Sequence, residues 1–398
     1  MNPRTAALGF HPGRAAEHAA FTLGAPPLSA HTVMFPVWRV DVLAKVTDAQ
    51  PYQLIDHFLI RSIGEAGITG SEELALFLSL DGALVRQALA FLVSVGDVEG
   101  EDGSLALTAL GRRSLGDGKL YTVQVDDRRV LYFDGFSSEP LTGAYYRRTG
   151  AGPTHMARGS GAVPPLRAQR FRAEAVAELT GLGDEERRRY NLPSAIEVKS
   201  VVGYEVEYLP ACVVHVARGP EGARHLVCPR PLRGGHDPRL GRALETSDAA
   251  LAALATAHES AVANFDEESG RWLSTRSLVG FRPRRAGNGP HRVPLAEDAF
   301  LAAGEKALPP MGSLVTLPSG GLLQLWCEDV RARRRELVRR VGDHLGTARS
   351  PSAVRNRLGP LAARLGLGPL DDEALCAMAV AEGSRALGDR LRRILSES

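Results

Sequence analysis

The stretch that most restricts the fold spans residues 51–115. Residues 52–66 place Leu54, Ile55, Phe58, Leu59 and Ile63 on one helical face, and Gly67 closes that helix. Ser71 is suited to cap a second helix, with Glu72 and Glu73 in its favourable first turn. That helix carries Leu74, Ala75, Leu76, Phe77 and Leu78. Asp81 caps a third, whose apolar face is Leu84, Val85, Ala88, Leu89, Leu92 and Val93, and Gly96 ends it. Residues 97–99 start a strand, 100–103 turn, and 104–107 return; Thr108 then caps a short helix through Leu115.

Three helices, a hairpin and a short helix in this order constitute a recognisable unit. The carrying run, GITGSEELALFLSLDGALVRQALAFLVSVGDVEGEDGSLALTALGRRSL, resembles the winged helix-turn-helix superfamily. In that superfamily the exposed N-terminal half of the third helix enters the major groove. The resemblance therefore implies Arg86 and Gln87 as base-contacting candidates. The wing carries Glu99, Glu101 and Asp102, which repel phosphates. Protein contact or a purely structural role stands beside DNA reading, because such modules serve all three.

A chain of 398 residues exceeds one ordinary core, so two or three domains are expected. A formal net charge of +2 rules out a chain built to coat DNA, and any nucleic-acid contact has to come from a local patch. Arginine supplies nearly all the positive charge, the only lysines being Lys45, Lys119, Lys199 and Lys306. The arginine, alanine, glycine and leucine bias points to a GC-rich bacterial genome. Four cysteines in so long a chain are no disulfide framework and fit a reducing cytoplasm. Residues 1–30 lack the continuous apolar core of a signal peptide, and no stretch approaches the ~18 apolar residues of a membrane span. A cytoplasmic location without membrane contact is the expectation.

The rest of the chain divides by pattern. Residues 1–35 are expected as an irregular N-terminal arm, although 35–40 reads as an extended, aromatic-rich segment. Residues 36–119 are assigned to the winged-helix domain, 120–245 to a β-rich domain and 246–398 to a mainly helical C-terminal region. In the β-rich part, 121–125 and 129–133 flank a turn at Asp126-Asp127, and 195–201, 204–208, 211–217 and 224–228 are four strand candidates. Helices are expected over 168–179, 184–190, 246–278, 328–345 and the C-terminal end. Linkers are expected at 149–165 and 281–294, and a hairpin turn at Ser319-Gly320-Gly321. The fold class is α+β.

Four constellations bear on chemistry. Cys212, His215, His225 and Cys228 have the composition of a zinc site. They pair about a hairpin turn at 219–222, and strand positions three apart point to opposite faces, so no metal is expected there. Glu197 and Lys199 match half of a metal-dependent nuclease motif, but such tripeptides are common and a solvated strand face is the favoured explanation. His236-Asp237 reads as a loop cap, and no nucleophile elbow or phosphate-binding glycine loop is present. Finally, the run 330–340 places Arg331, Arg334, Arg335 and Arg339 on neighbouring helix faces, with further arginines at 282, 284, 285, 390, 392 and 393. Such patches can bind phosphates or simply be solvated beside Glu328, Asp329 and Glu336.

Together these features lead to the expectation of a non-catalytic protein without cofactor. It would bind DNA through arginine patches, or act as an adaptor or homo-oligomer in a bacterial assembly such as transcription regulation or phage defence. The competing reading is a metal-dependent nuclease using Glu197 and Lys199.

Overall fold

The computed structural model describes residues 8–146, 165–190, 192–193, 195–287, 289–301, 307–345 and 350–396. The expected linker at 149–165 lies, apart from Pro165, outside them, as do residues 1–7 of the expected arm. The fold is mixed α and β with a helical C-terminal region.

Its spine is one long strand, β1 (Pro27–Pro51). Val40, Val42, Ala44 and Val46 alternate inward at 1 % exposure or less, as period-two side chains of a half-covered strand must. Arg39, Asp41 and Lys45 take the alternate, outward positions, although only 35–40 reads as extended in the sequence. The expected irregular arm is therefore corrected. Ahead of β1 lie a short helix α1 (Pro12–Glu17) and a π-helical turn, and residues 27–35 belong to the strand. Small side chains make this packing close: Ala15, Ala16 and Ala19 are fully buried, and a Cβ on Gly13 would meet the Leu314 carbonyl oxygen at 2.1 Å.

Between the end of β1 and the next long strand comes a self-contained insert. Its elements are α2 (Leu54–Gly64), α3 (Ser71–Leu78), α4 (Gly82–Ser94), a two-stranded hairpin β2 (Val98–Glu99) and β3 (Ala106–Leu107), and α5 (Ala109–Asp117). Leu59, Ile60, Leu74, Val85, Leu89, Leu92 and Leu107 form its core. Asp81 and Thr108 cap α4 and α5 as their positions predict. Ser71 does not cap α3. Gly70 holds the cap position, and the Ser71 amide and hydroxyl both donate to Asp102 of the hairpin, at 2.6 and 2.8 Å. At the base, Asp97 is fully buried and accepts from the Tyr52 and Ser114 hydroxyls.

Strand β4 (Lys119–Asp134) then returns antiparallel to β1, so that Pro51 lies opposite Lys119. The turn expected at Asp126-Asp127 is absent. Ala44 opposes Asp127 while Val46 opposes Gln124, so β4 carries one extra residue and bulges rather than turns. A helix expected over 168–179 shortens to α6 (Glu174–Thr180), because the Gln169 and Arg172 amides are engaged by the Gly135 carbonyl and the Ser138 hydroxyl. A charged helix, α7 (Asp184–Arg189), follows.

Three of the four expected short strands fuse into β5 (Ala195–Val216), whose break at Val202-Gly203 is again a bulge. With β6 (His225–Pro229) the sheet order is β4-β1-β5-β6, antiparallel throughout. Helices α8 (Pro238–Glu245) and α9 (Asp248–Ala263) cover one face of this sheet, and α10 (Phe265–Thr275) leads away.

The segment expected as a linker at 281–294 enters a second sheet instead. It contains β7 (Arg284–Arg285) and most of β8 (His291–Leu295), where Val293 and Leu295 alternate into a core. Strands β9 (Leu314–Thr316) and β10 (Leu322–Cys327) form the expected hairpin, and the order is β7-β8-β10-β9. The remainder is helical: α11 (Val330–Leu345), α12 (Pro351–Arg364), α13 (Asp372–Ala381) and α14 (Arg385–Ser396), closed around Leu337, Leu365, Leu375 and Leu391. Among the described residues no single helix is long and apolar enough to cross a membrane.

Candidate functional site

Helix α4 turns Val85, Leu89 and Leu92 into the core of the insert. Its exposed side includes Leu84, Arg86, Gln87, Ala90, Phe91 and Val93. Leu84, Gln87 and Phe91 follow the three- and four-residue spacing of one helix stripe, so Gln87 sits between two exposed apolar side chains. The neighbouring helices continue this character. Leu76 and Phe77 on α3 are 82 % and 61 % exposed, and Leu54 and Phe58 on α2 are 72 % and 44 % exposed. Residues 52–117 hold ten Asp and Glu against four Arg, a net charge of −6. Arg86 is exposed, but the surroundings oppose a phosphate backbone. Asp102, engaged by Ser71, ties the hairpin to α3, and those hydrogen bonds hold its carboxyl below the ordinary carboxylate range.

The arginines of α11 have separate fates. Arg331 and Arg334 are exposed, and neither forms an ion pair among the described residues. Arg335 grips Glu297 with two guanidinium nitrogens, and Arg339 bridges Glu336 and Asp343 at 2.9 and 3.0 Å. Arg333 and Arg340, between the candidates, are structural. Arg333 lies 4.4 Å over the Trp326 ring and donates to the Leu365 carbonyl at 2.7 Å. Arg340 pairs with Glu336 at 2.6 Å and donates to the Met311 carbonyl. The six candidates thus occupy two separate surfaces, Arg86 and Gln87 on the insert and the others on α11.

Cys212 opposes Cys228 and His215 opposes His225 across β5 and β6, the register their spacing predicts. The thiols are buried on the α1 side of the sheet, where desolvation pushes Cys212 up to about 12 and Cys228 well above the ordinary thiol value. The imidazoles occupy the other face. His215 stacks on His225 at 5.0 Å, and His258 of α9 meets it edge-on at 4.6 Å. Burial, then the neighbouring His258, His225 and Arg224, lowers His215 to about 4. The four residues do not converge on a common point.

Sequence reasoning missed the continuation of this cluster. The Ser29 hydroxyl lies 2.9 Å from His258 Nδ1 and 2.9 Å from His31 Nε2. Ser29 and His258 are 229 positions apart, and no local motif links them. Fully buried, Ser29 is a satisfied polar bridge rather than an accessible nucleophile.

Glu197 and Lys199 are exposed on β5. Glu197 opposes Lys45, and Lys199 Nζ lies 2.8 Å from Asp126 Oδ1. Among the described residues, no three His, Cys, Asp or Glu side chains gather as a metal's ligands. Asp237, expected to cap a loop, instead caps α8 and accepts from the Tyr145 hydroxyl, while His236 faces His18 at 3.2 Å.

The apolar surface of the insert was visible in one respect. Five consecutive apolar residues at 74–78 exceed what one buried helix face can absorb. No protein-family model, curated protein or solved structure gives a significant match to the chain.

Proposed function

We propose that this chain is a non-catalytic assembly protein whose residues 51–115 form a winged-helix module used for protein docking. The observation that carries this reading is the set of exposed apolar side chains, Leu54, Phe58, Leu76, Phe77, Leu84 and Phe91, on an acidic unit. Exposed apolar groups in such number mark a contact surface. The occupant we assign is the basic helical region of a second copy. Residues 330–396 hold fourteen Arg against seven Asp and Glu, a net +7, complementary to the −6 of the module. Module-on-module pairing would oppose like charges, so the favoured contact is heterologous, head to tail.

Sedimentation velocity over a concentration series, at low and high salt, tests this. The expected result is reversible assembly that weakens with salt and disappears in a Leu76→Asp/Phe77→Asp variant, whose substitutions lie outside the core. A monomer at every concentration in low salt, or assembly unchanged in the variant, would sink the proposal.

A further inference from the structure

A cavity of about 430 Å³ opens where α1 and the turn after it meet α11 and α12. Its volume falls within the ~300–1,000 Å³ typical of small-molecule sites. Arg14, Arg340, Arg357 and Arg364 line it, with Glu17 as the only carboxylate among the described residues. That carboxylate is already engaged: it accepts from Arg364 at 2.7 Å and from the Leu314 amide at 3.0 Å. Arg340 is likewise held by Glu336. Arg14 and Arg357 are exposed and form no salt bridge among the described residues, Arg14 acting on the Arg364-bound Glu17 only at longer range. Arg357 instead lies 2.7 Å from His344 Nδ1. Behind them, the buried Arg364 Nε–H lacks any acceptor among the described residues. Such a group is costly to leave unpaired. Phe21, Val354, Leu358 and Leu361 supply an apolar wall.

We propose that this cavity binds an organic phosphate of mononucleotide size. The surplus guanidinium charge, carried by Arg14 and Arg357, suits a phosphate better than a single-charged or neutral ligand. The apolar wall demands a ligand with a body beyond the phosphate, which separates it from the free ion. The limited volume suits a monomer rather than a polymer.

Isothermal titration of the full chain with AMP, ATP, inorganic phosphate and a single-stranded oligonucleotide provides the test. AMP or ATP is expected to bind, more tightly than inorganic phosphate and at least as tightly per site as the oligonucleotide. Arg357→Ala and Arg14→Ala, both at exposed positions, should each weaken the nucleotide about tenfold, with circular dichroism confirming an intact fold. Absence of nucleotide binding, equal binding of inorganic phosphate, tighter binding of the oligonucleotide, or indifference to both substitutions would each overturn the proposal. Repeating the titration with Leu76→Asp/Phe77→Asp keeps the two proposals apart, since that change should leave nucleotide affinity unaltered.

Discussion

Helices α4 and α11 invite the same expectation from opposite compositions. The first is the helix for which groove reading is expected, yet it offers solvent Leu84, Gln87 and Phe91 around a single arginine. The second is dense in arginine, yet Arg333 and Arg340 hold the fold together and Arg335 and Arg339 are matched by carboxylates. Charge counted along a sequence measures supply. What a partner meets is the remainder after the fold has matched its own groups. For α4 that remainder is apolar, and for α11 it is mainly Arg331 and Arg334.

The comparison breaks most decisively at Leu89. This side chain is 6 % exposed in the core of the insert, and an unpaired carboxylate there costs several kcal/mol, comparable to a small domain's whole stability. Leu89→Asp should therefore abolish amide protection over residues 54–117 while β1 and β5 remain protected from hydrogen exchange. Protection lost equally everywhere would mean that the insert is no separate unit.

A smaller effect is expected at Arg333. Its guanidinium packs on Trp326 and satisfies the Leu365 carbonyl, so Arg333→Ala removes both contacts and should destabilise the C-terminal helices by roughly 2–3 kcal/mol. Chemical denaturation monitored by Trp fluorescence reads this. A change near zero would return Arg333 to the pool of surface charges.

The smallest effect concerns DNA. Each phosphate contact contributes about 0.9 to the slope of log affinity against log salt on a duplex. Three arginines acting together would give up two to three units. Because Arg335 and Arg339 are paired, replacing Arg334, Arg335 and Arg339 with Ala should alter the slope on a random duplex by about one unit or less. Arg86→Ala should do no more. A loss of two to three units in the triple variant would restore α11 as a phosphate-binding surface.

Local signals made the insert legible. Asp81, Thr108 and the turn glycines mark boundaries within a few residues of the elements they cap. The long strands were harder to read. Bulges at Asp126-Asp127 and at Val202-Gly203 resemble turns in sequence, and only pairing with β1 shows that the chain continues straight. The opposed facing of Cys212 and His215 followed from strand geometry alone. Ser29, His31 and His258 lay beyond reach because a tertiary contact across 229 positions leaves no trace in spacing. The same holds for the ion pairs of α11, since Glu297 belongs to a different element.

The attachment of the insert also sets an order of events during folding. Pairing of β1 with β5 joins positions from 148 apart, Thr47 with Ala195, to 189 apart, Pro27 with Val216. Contacts so distant along the chain form slowly, whereas those inside the insert are local. Once the insert has formed, Pro51 and Lys119 are neighbours. The loop to be closed between β1 and β4 then shrinks from 67 intervening residues to a preformed junction. Strand pairing can advance from that junction, residue by residue, towards Asp134. Folding that begins with the insert would thus nucleate the sheet that carries it.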